Sequence, residues 1–119
     1  MNRQTIILTA LVALEHLYIM WMETFATTSK TTSRTFGMSQ ETLRDKNIST
    51  LFKNQGVYNG LLAILLIIAI WQQDLLWVRL LLGYVVLVAA YGSLTSNPYI
   101  ILKQGGPALL ALICSFISF

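Results

Sequence analysis

The chain has 119 residues, of which 55% are hydrophobic and 11% charged, with a mean hydropathy of +0.65. A soluble domain carries about a quarter charged residues, so this composition points to a membrane protein and excludes a separate soluble catalytic domain, a Rossmann unit or a P-loop domain. The net charge of +3 is gathered mostly in one loop and forms no patch on a soluble fold, so the lipid bilayer, not nucleic acid, is the expected partner.

The first expected span covers residues 5–26 and is interrupted near its middle by Glu15 and His16. A signal peptide is the rival reading because Arg3 precedes an apolar run, but two adjacent polar residues followed by Leu17–Trp21 argue against it. The loop 27–50 comes next. Its first nine positions, Thr27–Thr35, hold seven Ser or Thr and two basic residues, and read as extended and solvated. Phe36 and Gly37 signal a turn, and Ser39 reads as an N-cap with Glu41 in the first helical turn. A helix from Gln40 to Phe52 would then run directly into the second span, 51–71.

Gln72, Gln73 and Asp74 make a very short connection to the third span, 76–94, so these two spans should form an antiparallel hairpin. Thr95, Ser96, Asn97 and Pro98 mark a turn before the fourth span, 99–119. Pro107 should bend that helix or end a distorted first turn. The expected architecture is therefore all-α: one domain over 1–119, a polytopic four-helix transmembrane bundle, with three spans and a half-span as the alternative. Cys114, the one cysteine, lies in an apolar run and reads as a packing residue.

Orientation follows from the basic residues. Lys30, Arg34, Arg44, Lys46, Lys53 and Lys103 fall on the side of the long loop, against Arg3 and Arg79 on the other. The positive-inside rule places the loop in the cytoplasm and both termini outside.

The rare polar residues are the candidate functional set. Glu15 lies mid-span, where a charge costs several kcal/mol unless it is paired, protonated or hydrated. Glu15, His16 and Glu23 share an arc of about 100° on the first helix, with His16 and Glu23 about 10 Å apart along the axis. Gln55, Tyr58 and Asn59 share a similar arc on the second, next to a Gly56–Gly60 spacing that permits close helix approach. Tyr91 on the third span belongs to a stripe with Trp77 and Tyr84, and Gln104 on the fourth precedes Gly105, Gly106 and Pro107. With alternate spans running in opposite directions, these residues reach similar depths in the cytoplasmic half, which implies one small polar pocket.

Several of these runs carry a resemblance. Glu15-His16-Leu17-Tyr18-Ile19-Met20 with Glu23, Thr35-Phe36-Gly37 followed by Glu41, Asn54-Gln55-Gly56-Val57-Tyr58-Asn59-Gly60, Tyr91-Gly92-Ser93, and Gln104-Gly105-Gly106-Pro107-Ala108 resemble a family of small bacterial membrane proteins, domain of unknown function 1304. The resemblance covers nearly the whole chain. It implies a four-helix integral protein of the bacterial cytoplasmic membrane and carries no established activity. A looser likeness to four-helix DoxX-type membrane proteins, some linked to redox systems, is one of fold alone.

Three functions compete. A small-ligand binder or proton-linked carrier would use Glu15 and His16 as exchanging groups, with hydrogen-bonding partners from every helix and a homo-oligomer to provide enough helices. An accessory membrane subunit would use its basic loop against anionic lipid or a partner. An intramembrane enzyme on a lipid-like substrate would need His16 as acid or base; it is the least favoured, since no nucleophile motif, metal signature or dinucleotide fingerprint is present. Neither a metal nor a cofactor is expected.

Overall fold

The computed structural model describes residues 1–96, 98, 99 and 101–117. Among these the chain is helical, without strands: α1 (Arg3–Met20), α2 (Lys30–Phe36), α3 (Gln40–Arg44), α4 (Lys46–Trp71), α5 (Leu75–Thr95) and α6 (Gly106–Ser115), with π-helical turns at Trp21–Phe25 and Ile101–Gly105. Among the described residues three helices are long and apolar enough to cross a membrane: Arg3–Phe25, which includes the first π turn, Lys46–Trp71 and Leu75–Thr95. They match the first three expected spans to within a few residues, except that α4 begins earlier, at Lys46. Within the fourth expected span the described residues are Tyr99, the second π turn, the ten-residue α6 and positions 116–117 after it. At 1.5 Å per residue α6 rises only about 15 Å, half the thickness of a bilayer core. Positions 100, 118 and 119 of that span, and Asn97 of the expected turn, lie outside the described residues.

Local chemistry explains the boundaries. Pro107 stands in the first turn of α6, where its missing N–H leaves no bond unmade, and the distorted turn expected there is the π turn that ends at Gly105. Asp74 caps α5, its Oδ1 accepting from the Trp77 N–H at 3.2 Å, and Gln73 takes a left-handed conformation (φ 56°) in the three-residue connection.

The loop departs from its expected form. Thr27–Thr35 is not extended: α2 begins at Lys30, capped by Ser29, whose Oγ accepts from the Thr32 N–H at 3.1 Å. It ends at Gly37, the left-handed residue (φ 65°) that Phe36-Gly37 signalled. Ser and Thr are indifferent helix formers, but here their hydroxyls find tertiary acceptors. Thr32 is fully buried with Oγ1 2.7 Å from the Ala26 carbonyl, and Ser33 Oγ donates to the Met38 carbonyl at 2.6 Å. Ser39 caps α3 as expected, with Glu41 in its first turn. The helix expected from Gln40 into the second span is broken at Asp45, whose extended ψ of 131° and carboxylate, accepting from Asn47 N and Ile48 N, restart the chain as α4.

The chain divides into two compact units, residues 16–62 and residues 1–15 with 63–119. The second has an apolar interior of Val12, Ala13, Ala63, Leu66, Val78, Leu82, Val85, Ala89, Ala108 and Ala111. On α5 the buried residues recur at 78, 82, 85 and 89, the spacing of a helix-packing seam. Small residues let the π turn before α6 approach α5, since a Cβ on Gly105 would lie 3.0 Å from that of Ala89. In the three long helices, 39% or less of each apolar window is buried, so most of their leucine, isoleucine and aromatic surface faces outward.

Candidate functional site

The unit 16–62 holds the buried acid. Glu23 sits in the first π turn, where the Ala26 N–H bonds back to the Trp21 carbonyl at 2.8 Å. A π turn widens the helix and displaces the bonding register by one residue, and such turns are concentrated at functional sites. The hydroxyls of the Ser/Thr-rich segment take up its end: Thr27 Oγ1 donates to the Glu23 carbonyl at 2.7 Å, and Thr32 Oγ1 reaches the Ala26 carbonyl. The backbone distortion that carries Glu23 is thus held by side chains ten or fewer residues downstream.

Across from it, Asn59 on α4 donates from Nδ2 to Glu23 Oε1 at 2.6 Å. Both are buried, at 5% exposure for Glu23 and 8% for Asn59. Gly56 makes this approach possible. A Cβ there would collide with Thr24 Oγ1 and come within 3.0 Å of Thr24 N and 3.1 Å of Glu23 Cβ. Gly60 has the same effect at the next turn of α4, where a Cβ would overlap the thioether of Met20. Thr24 Oγ1 also donates to the Lys53 carbonyl at 3.0 Å, a second tie between the π turn and α4. The Gly56–Gly60 spacing, common in membrane helices, is in this chain a true close contact.

His16 is buried at 2% exposure, two turns before Glu23 on the same helical element. Gln55 and Tyr58 are exposed, Tyr58 at 72%, and neither hydrogen-bonds the Glu23–Asn59 pair. The arc that they share with Asn59 is wide enough for its members to divide between the inside and the outside. The remaining candidates belong to the other unit. Glu15 is half-buried, with Oε1 enclosed and without a hydrogen-bond partner. Tyr91 is exposed at 70%, and Gln104 lies half-buried in the second π turn. Among the described residues no group of three His, Cys, Asp or Glu side chains is placed to hold a metal ion.

Comparison with known proteins agrees with this set of motifs. The sequence pattern of a family described as protein of unknown function, DUF1304, matches residues 10–116. The chain belongs to that family. It is similar to the uncharacterized protein YpaA of Lactococcus lactis subsp. lactis (strain IL1403), 63% identical over 114 residues that cover 94% of this chain and 96% of that one. No solved structure matches. Within this member of the family, the two π turns each carry one of the polar residues singled out by sequence, Glu23 and Gln104.

Sequence reasoning missed two further groups. Thr5 and Thr9 are fully buried on α1, and Thr9 Oγ1 has no hydrogen-bond partner. The signal was available: Thr9, His16 and Glu23 stand seven residues apart, the repeat of a buried helix stripe. The other is a cluster at the end of α6. Asn2 Nδ2 donates to the carbonyls of Cys114 and Ile117 at 2.8 and 2.9 Å, while its Oδ1 accepts from the Thr5 N–H and hydroxyl. Arg79 donates to the Ser115 hydroxyl and carbonyl and lies 3.9 Å above the Phe116 ring. Polar contacts between residues 36 to 115 positions apart leave no trace in local spacing.

Proposed function

We propose that the chain is an integral membrane protein of the bacterial cytoplasmic membrane, a four-helix bundle with the segment 27–50 on the cytoplasmic side, and that it binds a small polar ligand with coupled proton exchange. Three helices of crossing length, with their apolar residues mainly outward and Thr, His, Glu and Asn inward, support the membrane reading. In water that distribution would be inverted.

The Glu23–Asn59 bond carries the functional reading. An acid in a membrane helix is expensive, and where one is retained it faces the protein interior and marks a ligand or proton path. Asn59 suits this role because its Nδ2 can donate to Glu23 Oε1 whether or not the carboxyl group holds a proton. The pair therefore survives a change of protonation that a Lys or Arg partner would resist. Gly56 and Gly60 bring the backbone close enough to hold the bond, and the π turn lets Glu23 point inward without breaking the helix. His16, buried on the same element, is a second side chain that can carry an exchangeable proton. Gln55 and Tyr58 are assigned a role at the exposed face of α4.

The test is proton movement in proteoliposomes that enclose a pH-sensitive dye, scanned over a panel of amino acids, organic cations, organic acids and sugars. A solute-dependent proton influx is expected, reduced at least tenfold by Glu23→Gln and by His16→Ala. An influx that persists in Glu23→Gln, or no solute that moves protons, overturns the proposal.

A further inference from the structure

We infer that the folded segment between Lys30 and Lys53 is a docking surface for anionic phospholipid headgroups. This inference goes beyond the proton-exchange reading; it depends on the chain entering a bilayer and not on the Glu23–Asn59 pair.

The observation is one of charge placement on a rigid support. Lys30, Arg34, Arg44, Lys46 and Lys53 are all exposed, with Glu41 and Asp45 the acids among them. The segment therefore carries +3, the net charge of the whole chain, and the rest of the chain is balanced. A floppy loop with this charge would interact diffusely, but the segment is fastened. Phe36 of α2 meets Phe52 of α4 edge to face at 5.2 Å, Gln40 Nε2 donates to the Thr28 carbonyl at 2.9 Å, Thr32 is buried against the π turn, and Leu43 of α3 is fully buried. Lys30 and Arg34 are one turn apart on α2 and so share a face. The same unit exposes Trp21, Phe25 and Leu51, two aromatics and an aliphatic of the kind that settle at the headgroup level. Cations on long apolar stems and exposed aromatics within one unit match a layer that is anionic outside and greasy beneath. Complementary charge thus selects anionic lipid over zwitterionic lipid.

The experiment reconstitutes the full chain in phosphatidylcholine vesicles with a trace of spin-labelled phosphatidylglycerol or spin-labelled phosphatidylcholine, and reads the relative association of each lipid with the protein. Phosphatidylglycerol is expected to associate more strongly. Lys30→Gln with Arg34→Gln should remove most of that preference, by up to about fivefold per charge, and salt at about 1 M should erase it. Lys46→Gln with Lys53→Gln is the independent pair should the first disturb α2, whereas Arg3→Gln and Glu23→Gln should leave the preference intact. Equal association of the two lipids in the unmodified chain, an unchanged preference in both double variants, or binding of soluble polyglutamate or RNA in place of lipid each overturns the assignment. Failure of the chain to enter vesicles overturns the membrane reading itself, a separate outcome seen before any lipid is compared.

Discussion

The two units of this protein are built from the same kind of helix and differ in what they bury. In residues 1–15 and 63–119 the interior is mainly alanine, valine and leucine with Thr5, Thr9 and Ser115, Glu15 is half-buried, and the polar contacts of Asn2 and Arg79 are spent on the carbonyl end of α6. In residues 16–62 the interior contains a carboxylate, an amide and an imidazole, and the backbone bends into a π turn to bring the carboxylate inward. A helix bundle needs only the first arrangement to be stable. The second adds polar groups where apolar ones would pack at less cost, and the proposed ligand-binding role rests on that difference.

The sharpest way to break this comparison is to add one methyl group to each unit. Gly56→Ala drives a Cβ into Thr24 and Glu23, against backbone that cannot move aside, and should destabilise the protein by about 1–3 kcal/mol. Gly83→Ala meets nothing within 4 Å and should stabilise α5 by about 0.5–1 kcal/mol, the ordinary gain of alanine over glycine in a helix. Thermal unfolding in detergent micelles measures both. Equal effects would show that Gly56 is no tighter than an open helix surface.

Arg79 comes next. Its guanidinium satisfies the Ser115 carbonyl and hydroxyl and covers the Phe116 ring, so Arg79→Ala should cost about 1–2 kcal/mol by the same assay. Arg79→Lys keeps the charge but not the planar fork, and should recover less than half of the loss. Because Arg79 is spent on Ser115 and Phe116, neither change should alter solute-driven proton influx per folded molecule.

How far the sequence could be read depended on the range of the interaction. Helix positions followed from hydropathy alone, because runs such as Leu61–Ile70 and Leu80–Leu82 leave no other reading. The caps at Ser39 and Asp74 and the turn at Gly37 are local chemistry, and Ser39 and Gly37 are recognisable from residue type and neighbours. α2 was missed because Thr and Ser are weak helix formers, and what holds them is the tertiary bond of Thr32 to a carbonyl of the π turn's end. The π turn itself has no sequence signature in Trp21–Phe25. Of the polar residues singled out, Glu23 and Asn59 meet, whereas Gln55 and Tyr58 stand outside. A helical wheel gives angles but not the edge of the buried sector, and Asn59 lies inside that edge by virtue of Gly56 and Gly60.

The smallest expected change in stability is the most informative for the site. Interhelical polar bonds in membrane proteins contribute about 0.6 kcal/mol on average and rarely exceed about 1.7. Asn59→Ala should therefore cost about 1 kcal/mol, and Glu23→Gln, which keeps the shape and an acceptor oxygen for Asn59, less than that. A double-mutant cycle over Glu23→Gln and Asn59→Ala isolates their coupling. If the pair existed to fix the helices, Asn59→Ala would be the damaging change and Glu23→Gln would be silent in every assay. The opposite ranking is expected for proton influx, because glutamine preserves the bond but removes the exchangeable proton. Function should then fall most where stability falls least. Packing cannot produce that inversion, so its presence would mark the Glu23–Asn59 pair as more than a tie between helices.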